Sequence, residues 1–315
     1  MRLPGTSTAA RPADLRLRQQ AQALADALPA LMLRAERAAA SVIHGLHGRR
    51  QSGPGEDFWQ YRPYMPGDAA TQVDWRKSAR AERVYIRETE WMAANTLWLW
   101  VQADAGMNWR SHLSETTKAE RAFVLALALA RLAISGGERV GLIGAPFAPD
   151  HTKTALERAG LWLWRQMHQA QASLPGARPL PRFSTCVLIG DFFAADEETL
   201  HQRLRALASL GARGALLQVV DPAEETFPFS GRVRFVDARS DAQFLSERAE
   251  DLRADYARAL ENMRARLTAL ARRLGWTFHT HRTDQPPQAA LLALHARLSG
   301  APAAAGGHHQ GDVLG

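Results

Sequence analysis

Apolar positions in residues 14–43 recur at helical spacing, at Leu15, Leu17, Leu24, Leu28, Leu31 and Leu33, which predicts a helical N-terminal arm. Pro29 falls inside it and should kink or split it. Residues 44–82 follow neither the helical nor the strand period and are rich in Gly, Pro and aromatics. A stretch of that length without regular structure carries a function or a fold-specific task. From residue 83 the pattern changes. "RVYIRETE" alternates as a strand, and "TLWLWVQAD" (96–104) is a continuous apolar run ending in an aspartate. A helix over 117–135 stops at "SGGE", followed by a strand over 139–145 and a helix over 153–172. "STCVLIGDFF" (184–193) is a third apolar run, again ending in Asp, then come a helix (196–210) and a strand (214–221). A short alternating strand at 232–238 reads as a sheet edge, 241–274 as one long helix, 276–282 as a last strand and 287–299 as a last helix. The Gly- and Ala-rich end, 300–315, reads as a disordered tail.

Strands that alternate with helices, several of them apolar throughout, predict an α/β fold: a mostly parallel sheet of Rossmann type with helices on both faces. In such sheets ligands sit beyond the carboxyl ends of the strands, where strand order reverses. Asp104 and Asp191 both stand at strand ends, and they become neighbours if the sheet is begun centrally by residues 97–104. Two carboxylates in one crevice suit a hard divalent cation such as Mg²⁺. The same aspartates would equally serve as caps of the turns that follow.

Composition narrows the function classes. The 315 residues are 46% hydrophobic and 23% charged, ordinary for a globular chain. A single cysteine, Cys186, excludes an intramolecular disulfide and a cysteine metal cluster. Its place in an apolar strand makes it a small core residue. The most apolar run, "FVLALALARLAI" (123–134), is too short to span a bilayer, and the N-terminus lacks the apolar core of a secretory leader, so a cytoplasmic protein is expected. The net charge of +7 comes mainly from Arg scattered along helices, which reads as solvated surface and not as a nucleic-acid face. His44 and His47 lack a third ligand, and His279 and His281 share one strand face that is expected to meet solvent. No phosphate loop, nucleophile elbow or dinucleotide glycine fingerprint is present.

Residues 53–80, "GPGEDFWQYRPYMPGDAATQVDWRKSAR", carry the densest set of turn formers, aromatics and paired charges. Pro66-Gly67 is a tight-turn dipeptide. Arg62 and Arg80 offer forked donors to Asp68 and Asp74, while Tyr64 and Trp75 supply apolar area with a polar tip. The reading is a latch that fixes a loop-rich module against the sheet and presents its outer side to a partner.

The order Gly53, Gly55, Phe58, Arg62, Tyr64, Pro66, Gly67, Asp68, Asp74, Trp75, Ala79 and Arg80 resembles the signature of the bacterial "domain of unknown function fifty-eight" (DUF58) family. Downstream, Asp221, Pro222, Glu225, Pro228, Gly231 and Asp237 match the same family's pattern, and the resemblance covers about residues 41–299. It implies a von Willebrand factor A-like domain over 93–299, preceded by the arm (1–43) and a family-specific module (44–92). It also implies a partner, a MoxR-type AAA+ ATPase, with an unidentified client complex whose assembly or maturation the pair assists. The metal-ion-dependent adhesion site of such domains wants Asp-x-Ser-x-Ser, and this chain has Asp104, Gly106 and Asn108, with Asp191 across the crevice. The expected protein is a non-enzymatic adaptor without a resident cofactor. One alternative is a Mg²⁺-dependent binding module that uses Asp104, Asn108 and Asp191 as a degenerate metal site. The other is a hydrolase that uses Asp68 or Asp74.

Overall fold

The computed structural model describes residues 27–43, 58–63, 78–79, 84–89, 96–169, 174–177, 179–182, 184–193, 196–240 and 242–298. The first helix, α1, spans 27–43, with Pro29 in its first described turn, where a missing N–H costs little. Two strands, β1 (Phe58–Pro63) and β2 (Tyr85–Thr89), pair antiparallel. The first of them was not visible as a strand in the sequence, because the register shifts between Phe58 and Gln60 and breaks the two-residue period.

The main sheet is built from β3 (Thr96–Val101), β4 (Arg139–Leu142), β5 (Thr185–Gly190), β6 (Arg213–Val220) and β9 (Thr277–Arg282). All four pairings are parallel, in the order β4-β3-β5-β6-β9. The expected α/β fold with a mostly parallel sheet is therefore what the chain adopts. It begins its sheet at β3, places β4 on one side and β5 on the other, and so reverses direction between β3 and β5. Among the described residues, the edge beyond β4 continues as one antiparallel bridge between Val140 and Asp150.

The alternation within each apolar strand sends side chains to two cores. Leu97, Leu99, Val101, Val187, Ile189, Leu217 and Val219 face one core. Trp100, Cys186, Leu188 and Leu216 face the other. Helix α2 (Lys118–Ser135) lies across the first face and is buried around most of its circumference, as its run of Ala, Leu, Val and Phe requires. It is covered in turn by α1, by α3 (Lys153–Gln169) and by α7 (Pro287–Leu298). Gly160 of α3 lies against Met32 of α1 and Leu127 of α2, so the N-terminal helix is part of this core. The second face carries α4 (Glu197–Ala208) and α6 (Arg253–Arg273).

Two expectations are corrected. The strand at 232–238 is not an edge of the main sheet. As β7 (Val233–Val236) it pairs antiparallel with β8 (Gln243–Ser246) in a separate hairpin. Consequently the long helix expected over 241–274 begins only at Arg253, after a 3-10 turn over Ala249–Leu252. Ala242, Leu245, Ala249 and Leu252 do fall at helical spacing. The pairing with β7 overrides that local pattern.

Candidate functional site

The reversal between β3 and β5 brings Asp104 and Asp191 together, as the sequence suggested. Gln102 joins them: its Nε2 donates to Asp104 Oδ2 (2.5 Å) and Asp191 Oδ1 (3.0 Å), while its Oε1 accepts the Phe192 N–H (3.0 Å). Gly190 makes this possible, since a Cβ there would lie 2.3 Å from Gln102 Oε1. Asp104 also caps the short 3-10 turn Ala105–Asn108 by accepting the Gly106 N–H at 3.0 Å.

Two cations complete the cluster, and neither was singled out from the sequence. Lys118 opens α2, where the capping box of Thr117 and Glu120 fixes the helix start. Its Nζ donates to Asp191 Oδ2 (2.8 Å) and Glu224 Oε1 (2.5 Å), beneath the rings of Trp109 and Phe193. It is only 2% exposed and Asp191 is fully buried. Arg239 comes from the turn between β7 and β8. Its Nη2 lies 2.9 and 2.7 Å from the two Asp191 oxygens, and its Nε 3.1 Å from Asp104 Oδ1. Asp237 shapes that turn by accepting the Arg239 N–H and the Ser240 hydroxyl. Glu224 is the third residue of the short helix α5 (Pro222–Thr226). One of its oxygens caps the Asp221 N–H, and the other holds Lys118. Asp221 accepts the Ala223 and Ser111 N–H groups and so ties α5 to the loop after β3. Glu225, the acid matched in the sequence, instead pairs with Arg264 and Arg282.

The electrostatics follow from this packing. Burial alone would raise the Asp191 carboxyl, but Lys118 and then Arg239 outweigh it and hold it below the usual carboxylate range. Burial raises Glu224, against the pull of Lys118. Burial works against the charged Arg239, yet Asp191 more than offsets it and raises the guanidinium further.

The donor set does not fit Mg²⁺, which prefers about six oxygens in an octahedron. Gly106 contributes no side-chain oxygen. Asn108 does not join the aspartates, because its amide donates to the Met167 carbonyl at 3.3 Å. Both carboxylates are already turned onto protein N–H groups. Of the proposed latch residues, Arg62 lies in β1, opposite Ile86. Tyr64, Asp68, Asp74, Trp75 and Arg80 lie outside the described residues, as do His44 and His47. His281, expected to face solvent, is buried, with burial and then Arg121 lowering its imidazole to about 4.

Beside the charged cluster opens a cleft of about 570 Å³, walled by Trp109, Phe227, Phe229, Phe235 and Tyr256 and floored by Lys118, Glu224 and Arg239. Phe227 stacks on Phe235 and packs at a tilt against Tyr256, with ring centroids 5.8 and 4.9 Å apart, and fixes the aromatic wall. Of the large apolar side chains that the described residues leave exposed, Trp109 and Val236 line this cleft, and Phe244 stacks on Phe235 of its wall with ring centroids 6.5 Å apart.

The chain is 30% identical over 280 residues to uncharacterized protein Rv1480 of Mycobacterium tuberculosis and to uncharacterized protein Mb1516 of Mycobacterium bovis. In each case the match covers 83% of this chain and 86% of the relative. Among solved structures, a conserved hypothetical protein BatB from Bacteroides thetaiotaomicron superposes with a TM-score of 0.35 at 11% identity, over 65% of this chain and 99% of that one. An aerotolerance-related membrane protein from Bacteroides fragilis gives the same score and coverage at 14% identity. The family model described as "protein of unknown function DUF58" matches residues 60–266, more than half of the chain, and with the mycobacterial relatives it makes this chain a member of the DUF58 family.

Proposed function

We propose that this protein is a non-enzymatic adaptor that acts in the cytoplasm with a MoxR-type AAA+ ATPase on the assembly or maturation of a client complex, and that the rim at the carboxyl ends of β3 and β5 is a docking face. The observation that carries the docking reading is the aromatic cleft itself, with exposed Trp109 and Val236 in its lining and exposed Phe244 stacked on its wall residue Phe235. Exposed apolar groups gathered on one edge of a molecule are characteristic of interaction sites. Asp104 and Asp191 beneath the cleft are engaged by Lys118 and Arg239, which supports a surface-shaping role for these two carboxylates. The choice of ATPase rests on the family resemblance.

The test is biolayer interferometry of the immobilised full chain against the MoxR-type ATPase encoded in the same genome, with and without EDTA. Saturable micromolar binding that survives chelation is expected. Lack of binding at high micromolar concentration would remove the partner. Turnover of a small molecule by the purified protein, abolished by Asp191→Asn, would remove the adaptor reading altogether.

A further inference from the structure

We infer that Arg239 is a built-in cation that stands in for a divalent metal at the β3–β5 crevice and tethers the β7–β8 hairpin to the sheet, with Gly106 as the residue that admits it. Two carboxylates meeting at a sheet's switch point repel each other unless something positive lies between them. In this chain the positive charge is supplied by side chains. Lys118 reaches Asp191 from the helix below, and the Arg239 guanidinium spans Asp191 and Asp104 from above.

Gly106 makes the exchange possible. A Cβ at that position would lie 2.1 Å from the guanidinium carbon and 2.3 Å from each terminal nitrogen of Arg239. Any larger residue would therefore drive the guanidinium out of the crevice. The backbone N–H of Gly106 meanwhile keeps Asp104 aimed at Arg239. A glycine in place of a hydroxyl-bearing residue thus replaces a metal ligand by the space for an internal cation.

The arginine also does something a free ion does not: it is covalently part of the hairpin. Asp237 holds the turn that points Arg239 inward. The same hairpin supplies Val233, Arg234, Phe235 and Val236 to the cleft wall. The tether therefore sets the position of one side of the cleft, without any need for a metal. This inference concerns the isolated chain and stands whether or not an ATPase binds the rim.

Hydrogen exchange of the full-length protein, compared for wild type, Arg239→Ala and Gly106→Ala, tests it. Gly106→Ala keeps every charge and meets only the far end of a flexible side chain, so it folds even where Arg239→Ala does not. Loss of hydrogen bonds to a charged group should speed exchange of the β7–β8 amides about tenfold to a hundredfold, with β3 and β5 still protected. Calorimetric titration of Mg²⁺ into wild type should give no binding heat. Unchanged hairpin protection in both variants would overturn the tether. Mg²⁺ binding by wild type that Asp104→Asn abolishes would overturn the substitution of metal by arginine.

Discussion

At the scale of single residues, most buried polar groups are paired, and among the described residues the unpaired ones include a titratable imidazole. His281 Nε2 is buried without a hydrogen-bond partner, close to the Arg121 guanidinium, and its imidazole is lowered to about 4. An unfolded histidine titrates near 6.5, so below that pH the unfolded chain takes up a proton that the folded one refuses. Stability from this group is complete above about pH 6.5 and is lost as the pH falls toward 4, by about 3 kcal/mol in all. Asp191 and Asp284, both held below the usual carboxylate range, act only at lower pH. Urea unfolding at steps from pH 7 to pH 4.5 should therefore show a falling midpoint in wild type and a flatter one in His281→Phe. Equal slopes would refute this assignment. Lys118 makes a different prediction. Replacing it with Met leaves Asp191 and Glu224 facing each other in a buried site, and breaking a buried ion pair on one side costs about 3–5 kcal/mol. Calorimetric melting would register this as a drop of many degrees. The sequence held a clue to Lys118 that went unused: a lysine in the first turn of a helix opposes the helix dipole. Arg239 offered no such clue, because its role depends on the hairpin turn folding back over β3, which no local pattern records.

At the scale of elements, continuous apolar runs and glycine stops made β3, β4, β5, β6 and the helices between them legible. Those signals are local and agree with the tertiary packing. The reversal point, with Asp104 and Asp191 beside it, followed from the order of the elements alone. The hairpin did not, since Phe244 and Leu245 on β8 are solvent-exposed and their strand state comes from pairing with β7. The start of α2 shows how an element sets the site. Thr117 accepts the Glu120 N–H and Glu120 closes back on the Thr117 N–H, so the first turn is fixed just where Lys118 leaves it. Thr117→Ala should lower stability by about 1 kcal/mol, as loss of a helix cap does. It should also raise exchange at the first α2 amides while leaving those of α6 unchanged. A melt identical to wild type would show that the cap does not hold this turn.

At the scale of the molecule, the question is which surface would meet the proposed partner. A net charge of +7 invites a purely electrostatic answer, in which any acidic surface would bind and salt would abolish the contact. The distribution of apolar groups argues against it. Trp109, 37% exposed, walls a cleft whose floor has both signs of charge, and Phe244, 55% exposed, stacks on Phe235 of the cleft wall. Exposed aromatics around a preformed hollow are the groups that become fully desolvated when a complementary surface closes over them. Such anchors typically carry 2 kcal/mol or more each, roughly a thirtyfold change in affinity. Phe244→Asp on the hairpin and Trp109→Ala on the facing loop should therefore each weaken binding of the proposed ATPase by about that factor. Phe244 already faces solvent, so its replacement should shift the melting temperature by no more than about a degree or two. Trp109 also covers Lys118, so its loss should lower the melting temperature further, and its affinity is read at a temperature where both proteins are folded. Charge reversal at the exposed Arg248 or Arg258, away from the cleft, should alter affinity less than about threefold. If instead the arginine reversals abolish binding and the aromatic substitutions leave it intact, the contact is electrostatic and lies elsewhere on the molecule, and the rim of β3 and β5 is not where this protein meets its partner.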